Sequence, residues 1–468
     1  MKINLPAQRI DANGRPHVDY RAVAALALPL MLNSSLQAII SLTDTWFVGH
    51  ISTAAIAGMG AVYWIVLLFL MVIGGVGLSV QTFVAQAEGS RRRWRASHAA
   101  WVAMWAAMLT LPLFAGLAFL GGSILRPFGL DAEVQRQALA FWQPRMLGAP
   151  IGVALWAVLG FFNGIARPRV AVATTALVAT VNALLNGLFV LKLGFGIAGS
   201  AWATNLSMAC GVAFALTLFL RPELRRSYRT HLTWRPDVHT LARQFRLGLP
   251  MGLMYASDLF GMALFQLMQV RLSALDGAAT QVVVMLTSMA FLPGMGIAMA
   301  GTTLVGQAIG AGDPDWARKL GNRIIVLTVG FMGTLGVVLA LAGPWILPTF
   351  VIETDPSAPR MIELGLLLLW IAAGYQLFDG LNLASGFALR GAGDVRVPAL
   401  LFFVLSWGVW VPLAHSLSFA PGQGWVDFLP QFGLGAAGGW LAMLVYVVLL
   451  GSALFLRWRS GRWRQIKI

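Results

Sequence analysis

Read for hydrophobic and polar positions, the chain divides into twelve long apolar stretches separated by polar turns. They lie near residues 22–49, 53–86, 97–121, 138–165, 169–192, 197–220, 241–272, 278–309, 317–343, 361–389, 396–416 and 433–457. An α-helix rises 1.5 Å per residue, so crossing a bilayer takes roughly 20 mostly apolar residues. The stretches meet that length and are rich in Gly, Ala, Leu and Val. None shows the polar/apolar alternation over about ten residues that marks a barrel strand. The pattern predicts an all-α polytopic membrane protein with twelve transmembrane helices.

Charge then sets a direction. If both ends and every even-numbered loop share one side, that side collects 27 of the 33 basic residues, including Lys2, Arg91–Arg93, Arg221, Arg225, Arg226 and the run after Leu456. The other side receives Arg126, Arg136, Arg145, Lys192, Arg271 and Arg360. The positive-inside rule places both termini in the cytoplasm. The net charge of +15 is thus a topology signal, and no nucleic-acid partner is expected.

Composition adds two exclusions. With 58% hydrophobic and 11% charged residues, the chain is far from the roughly 25% charged typical of soluble domains. A single cysteine, Cys210, forms no intrachain disulfide and no Cys-rich metal cluster. The first twenty residues are polar and do not read as a cleaved signal peptide.

The chain also repeats itself. Leu26-Ala-Leu-Pro29 matches Leu247-Gly-Leu-Pro250, and Thr82–Ala87 lies on Thr303–Ala308 at the same offset of 221. Ile124, Leu125 and Phe128 answer Ile346, Leu347 and Phe350; residues 161–170 resemble 388–397; 194–199 resemble 433–438; both halves finish with LFLR. Six matches in one order predict a duplicated six-span half. An even number of spans makes the repeats parallel, related by a pseudo-twofold axis along the membrane normal. The expected organisation is a tail (1–20), an N-lobe (21–220), an arginine-rich linker (221–240), a C-lobe (241–457) and a basic tail (458–468), with the two bundles flanking a central cleft.

Three of the eighteen acidic residues fall well inside apolar segments: Asp44, Asp258 and Asp379. A carboxylate at the middle of a span costs about 2.5–3.5 kcal/mol on insertion scales, which makes each a candidate for ion or substrate handling. Tyr375 precedes Asp379 by four positions and Tyr255 precedes Asp258 by three, so each pair shares a helix face. Carboxylate and phenol oxygens suit Na+ or a shared proton, and Asp258, Asp379 and Tyr375 form the candidate cation site. Asn182 and Asn186, spaced i, i+4, are positioned to join Asp44 in a polar cluster. Met254, Met262, Phe265 and Phe378 offer an adaptable apolar wall near the second-half acids. Pro29 and Pro250 occupy matching places early in the first and seventh spans and are hinge candidates.

Enzyme and ATPase motifs are missing: there is no His-Glu-x-x-His, no Gly-x-Ser-x-Gly and no Walker-type loop. The protein is not expected to be an enzyme or to hold a cofactor, and an ion gradient is left as the energy source.

From about residue 20 to 457 the chain resembles the multidrug and toxic compound extrusion (MATE) family. The resemblance rests on ALPLMLNSSLQAIISLTDTWFVGH at the start, TFVAQAEGS and TLVGQAIGAGD after the second and eighth spans, GLPMGLMYASD opening the seventh, and YQLFDGLNLASGFALRGAGDVRVP across the tenth. It implies an antiporter that exports organic, often cationic, amphiphiles against inward Na+ or H+, working as a monomer in the bilayer. Asp44 matches the family's first-span acid, and Asp379 with Tyr375 matches the second-half cation site of the NorM-like branch. Asp258 stands where that branch usually has glutamate. Asn182 and Asn186 resemble the paired asparagines of NorM-like members, whereas the DinF-like branch commonly has aspartate near Asn186; GHIS after Asp44 and GFGIAG are compatible with the DinF-like branch. The alternatives are a flippase for lipid-linked saccharides, which would want a cationic groove, and an integral-membrane lipid-modifying enzyme. No basic residue is expected deep within the first-half spans.

Overall fold

The computed structural model describes residues 5–11, 15–350 and 357–466. Lys2, Lys467 and the extreme ends of the two predicted tails lie outside the described residues. Among the described residues twelve helical spans are long and apolar enough to cross a membrane, so the chain is a multi-pass membrane protein. Each begins within about six residues of its predicted start.

The chain opens with a short antiparallel hairpin, β1 (Gln8–Ile10) and β2 (Pro16–Val18). The first half then comprises α1 (Tyr20–Gly49), α2 (Thr53–Gly89), α3 (Arg93–Leu109), α4 (Leu111–Leu125), α5 (Ala132–Gly164), α6 (Pro168–Asn186) and α7 (Gly196–Phe219). The linker contributes α8 (Pro222–Tyr228). The second half comprises α9 (Val238–Leu272), α10 (Ala274–Gly310), α11 (Pro314–Ile346), α12 (Ala358–Ala392), α13 (Arg396–Leu405), α14 (Val411–Ser418) and α15 (Gly435–Arg459).

Helix starts follow polar caps. Asp19, Ser52 and Asp131 accept backbone N–H groups at the heads of α1, α2 and α5, and Asp237 and Asp313 do the same for α9 and α11. Each cap satisfies donors that a helix end otherwise leaves unpaired. The third span departs from the single helix expected: it breaks at Thr110 into α3 and α4. Pro112 lacks the N–H that would continue the ladder, and its ring crowds the preceding turn. The fifth and eleventh spans each carry a π-helical turn, Gly187–Lys192 after α6 and Ser406–Trp410 between α13 and α14. Such turns are rare and cluster at functional sites.

The chain packs as two compact units, the first running to Ala256 and including Thr302–Ala317, the second holding Ser257–Gly301 and the chain from Arg318 onward. The repeat-based lobes put 241–256 and 302–317 in the second half; in space both segments pack into the first unit. In that unit α2 lies along α5, and a β-carbon on Gly77 would sit 2.8 Å from the Val153 carbonyl oxygen. Small residues at such crossings let backbones close in where no water is available to drive association. Val80, Val84, Phe161, Phe162 and Phe219 pack beside this crossing as a buried cluster. In the second unit Gly451 of α15 meets the Phe378 carbonyl of α12, and Trp458 stacks on Trp463 at 4.5 Å. Large apolar side chains that face outward, among them Leu42, Phe119, Leu184, Leu267 and Leu400, suit contact with lipid.

Candidate functional site

Each unit contains one intramembrane carboxylate cluster, and the two are built differently.

In the first unit Asp44, near the end of α1, is met by α6 and α7. Asn182 and Asn186 of α6 each donate an amide N–H to Asp44 Oδ1 at 2.9 Å. Their i, i+4 spacing puts them one turn apart on one face, as expected. Thr204 of α7 donates its hydroxyl to Asp44 Oδ2 at 2.9 Å. Both asparagines are fully buried, while Asp44 is half-buried. Three donors surround this carboxylate. The buried amide oxygens of Asn182 and Asn186 have no hydrogen-bond partner among the described residues.

Arg145 corrects the sequence reading. The charge count places it on a loop side, yet it lies thirteen residues inside α5, about 20 Å from the helix start at 1.5 Å per residue. Its Nη1 donates to Asn205 Oδ1 of α7 at 3.0 Å, and its charge interacts electrostatically with Asp44 and with Tyr63. The signal is a basic residue in a run, Phe141 to Pro150, whose one other polar residue is Gln143.

In the second unit Asp258 of α9 and Asp379 of α12 interact electrostatically with each other, with Tyr375 and with Tyr446 of α15. Asp379 is 3% exposed. Its Oδ1 accepts from Asn382 Nδ2 at 3.1 Å, and its Oδ2 is buried with no hydrogen-bond partner. Asp258 is half-buried, and among the described residues it makes no ion pair. Among the described residues no arginine or lysine forms an ion pair with either acid. Carboxylate, phenol and amide oxygens make a hard donor set for a small cation; among the described residues no group of three or more His, Cys, Asp or Glu forms a metal cluster.

An aromatic wall backs this cluster. Tyr446 stacks on Trp410 at 5.0 Å and accepts from Ser406 at 2.9 Å, both from the π-turn. Phe265 is fully buried between Trp410 and Trp440. Met262 and Phe378 are half-buried in the same unit, whereas Met254 and Tyr255 sit on the part of α9 that packs into the first unit. Pro29 and Pro250 lie inside helices that continue through them. Thr204, Asn205, Asn382, Ser406 and Tyr446 escaped the sequence reading. Asn382 alone had a readable signal, three positions after Asp379 on the same face.

Twelve spans, a six-span repeat and an interior carboxylate cluster in each unit define a polytopic transporter architecture. The chain belongs to the MatE family, whose profile matches residues 29–188 and again 250–415. It is 29% identical to a probable multidrug resistance protein NorM of Mesorhizobium japonicum, covering 94% of this chain and 93% of that one. Identity to a probable NorM of Burkholderia mallei is 31%, over 94% and 92% of the two chains. A solved MATE structure in complex with MaL6 superposes with a TM-score of 0.81 at 20% identity, over 94% of this chain and 95% of that one, a likeness of fold. The two profile matches begin at Pro29 and Pro250, the same offset that the internal repeat shows.

Proposed function

We propose that the protein is a secondary active efflux antiporter, exporting organic and often cationic amphiphiles in exchange for Na+ or H+ by alternating access. The observation that carries the reading is the pair of acids Asp258 and Asp379, which interact electrostatically with each other and, among the described residues, have no basic ion-pair partner. Two like charges at such a site call for a proton or a cation. In the first unit Asp44 has Arg145 as a nearby countercharge, which makes the second cluster the better candidate for the coupling ion. Relatives that carry the NorM name are described as multidrug resistance proteins, and the absence of an ATP-binding motif leaves a gradient as the driving force. One charge moved through 100 mV is worth about 2.3 kcal/mol.

In this cycle Na+ or H+ enters from outside and occupies Asp258, Asp379 and Tyr375. It weakens the hold on the exported compound, which leaves. The bundles then rock and release the ion inside, freeing the carboxylates. Coupling needs the ion-loaded and compound-loaded states to differ in affinity. The arginine-rich face is the cytoplasmic one, in a bacterial inner membrane, and the protein works as a monomer without a bound cofactor.

Efflux of a fluorescent organic cation from proteoliposomes, under Na+ and H+ gradients imposed separately, tests this. Transport driven by Na+ alone assigns the oxygen-rich site to that ion; transport driven by H+ alone makes the same carboxylates proton carriers. No movement under either gradient would overturn the antiporter reading. One observation, Arg145, leans toward the flippase alternative, but a lipid-linked saccharide brings a diphosphate whose charge calls for several cations.

A further inference from the structure

Arg145 is an intramembrane guanidinium that the coupling scheme does not use. Interior arginines are costly and are functional candidates by default. Its surroundings hold it in place without neutralising it. Asn205, 1% exposed, accepts from Arg145 Nη1 at 3.0 Å and donates its own amide to the Pro144 carbonyl at 2.6 Å. Gly148, one turn along α5, leaves the space that the Asn205 amide fills; a β-carbon there would overlap it. The amide is therefore fixed from two sides and aims its oxygen at the guanidinium.

Among the described residues no carboxylate lies within 4.0 Å of Arg145. Asp44 attracts it from farther away, but both Asp44 oxygens already accept from Asn182, Asn186 and Thr204. Were Arg145 present only to neutralise Asp44, a direct pair would be the simpler arrangement. Instead the guanidinium spends one donor on Asn205. Arg145 is half-buried, and among the described residues the one hydrogen bond it donates is that to Asn205. A guanidinium fork with free donors matches a carboxylate in two-point geometry.

We propose that Arg145 is an anion-binding subsite that takes the carboxylate of a zwitterionic amphiphile, with Asp44 on the cationic side of the same compound. A simple monocation approaching Asp44 is opposed by Arg145, whereas a compound carrying both charges meets both. The efflux reading supplies the use of the bound compound; the subsite is itself a statement about binding.

The test is fluorescence polarisation with the purified full chain in detergent, using a rhodamine with a free carboxylate and the methyl ester of the same dye. The parent protein should prefer the free acid. Arg145→Gln should weaken binding of the acid by about tenfold or more, on the scale of a charged hydrogen bond, and leave the ester unchanged or tighter. Arg145→Lys should keep part of the preference. An unchanged acid-to-ester ratio in Arg145→Gln, no preference in the parent, or loss of both dyes together would each overturn the subsite, the last by assigning Arg145 to packing. The efflux reading fails separately, when a bound dye is moved by neither gradient.

Discussion

Gly310 of α10 lies so close to the backbone carbonyl of Gln86 in α2 that no β-carbon fits between them. The relation recurs 221 positions earlier in the chain, where Gly89 lies on the carbonyl of Gln307. The duplicated sequence has thus produced a reciprocal crossing, each helix offering its glycine to the other's glutamine. Gln81 Nε2 of α2 donates to Thr303 Oγ1 of α10 across the same crossing at 3.0 Å, and Gln307 Nε2 of α10 donates to the Gly164 carbonyl at the end of α5 at 2.8 Å.

A side chain at either glycine has to displace backbone, which yields less than a flexible side chain does. Gly89→Val and Gly310→Val should each cost about 1–3 kcal/mol, the range for overpacking a close-packed contact. Thermal unfolding in detergent would show it as a lowered midpoint. Because the two sites share one crossing, the double variant should lose less than the sum of the singles.

The second carboxylate cluster makes a sharper demand on transport than on stability. Asp379→Asn keeps the size of the side chain and removes its charge. Asp258→Asn does the same on α9. Each variant should insert and fold normally yet lose gradient-driven efflux. Asn382→Ala should weaken efflux less, because it removes one donor from Asp379 and leaves both charges. Undiminished transport by both aspartate variants in proteoliposomes would sink the assignment.

In the first unit, Asp44 Oδ2 accepts from Thr204 and, among the described residues, from no other donor. Thr204→Val keeps the shape and deletes that hydrogen bond to a charged group, a loss of about 1.5–3 kcal/mol where water does not replace it. Thr204→Ser should restore most of the stability. A valine variant as heat-stable as the parent would show that Asp44 draws its support from the asparagines alone.

How much of this was legible in the sequence follows from the range of each interaction. Span number was readable because apolar length is a local property. The duplication was readable because each match, such as Pro29 with Pro250, is a short string. Asn182 and Asn186 were found with Asp44 because helical spacing put two amides on one face near a first-span acid. Thr204 and Tyr446 were not, since each reaches its cluster from another helix with no periodic signature, and only packing brings them there. Arg145 was misassigned for a related reason. A guanidinium near a span end reads as interfacial unless α5 runs beyond the apolar stretch, and α5 begins six residues before the predicted start. The break at Thr110 had a local cause in Pro112, but a continuous apolar run concealed it.

The linker supplies a prediction in pH. It is strapped along α3: Ser97 donates to the Tyr228 carbonyl at 2.6 Å, Trp101 Nε1 to that of Thr230 at 2.7 Å, and Trp105 Nε1 to that of Trp234 at 2.6 Å. The strap ends at Asp237, which caps α9 by accepting from the His239 and Thr240 backbone N–H groups at 3.1 Å each and from the Thr240 hydroxyl. His98 of α3 lies 3.7 Å away. The Thr240 hydroxyl first, then the backbone donors and His98, pull Asp237 down from 3.8 to about 2. A carboxylate lowered on folding stabilises the fold above its ordinary value, and the contribution is lost as pH falls from about 4 through about 2. Asp237→Ala should therefore cost about 1 kcal/mol at neutral pH, the usual worth of such a cap. The gap between parent and variant melting midpoints should begin to narrow as the buffer is taken down to about pH 3. A gap that stays constant over that interval would mean that Asp237 holds the linker through packing and not through its charge.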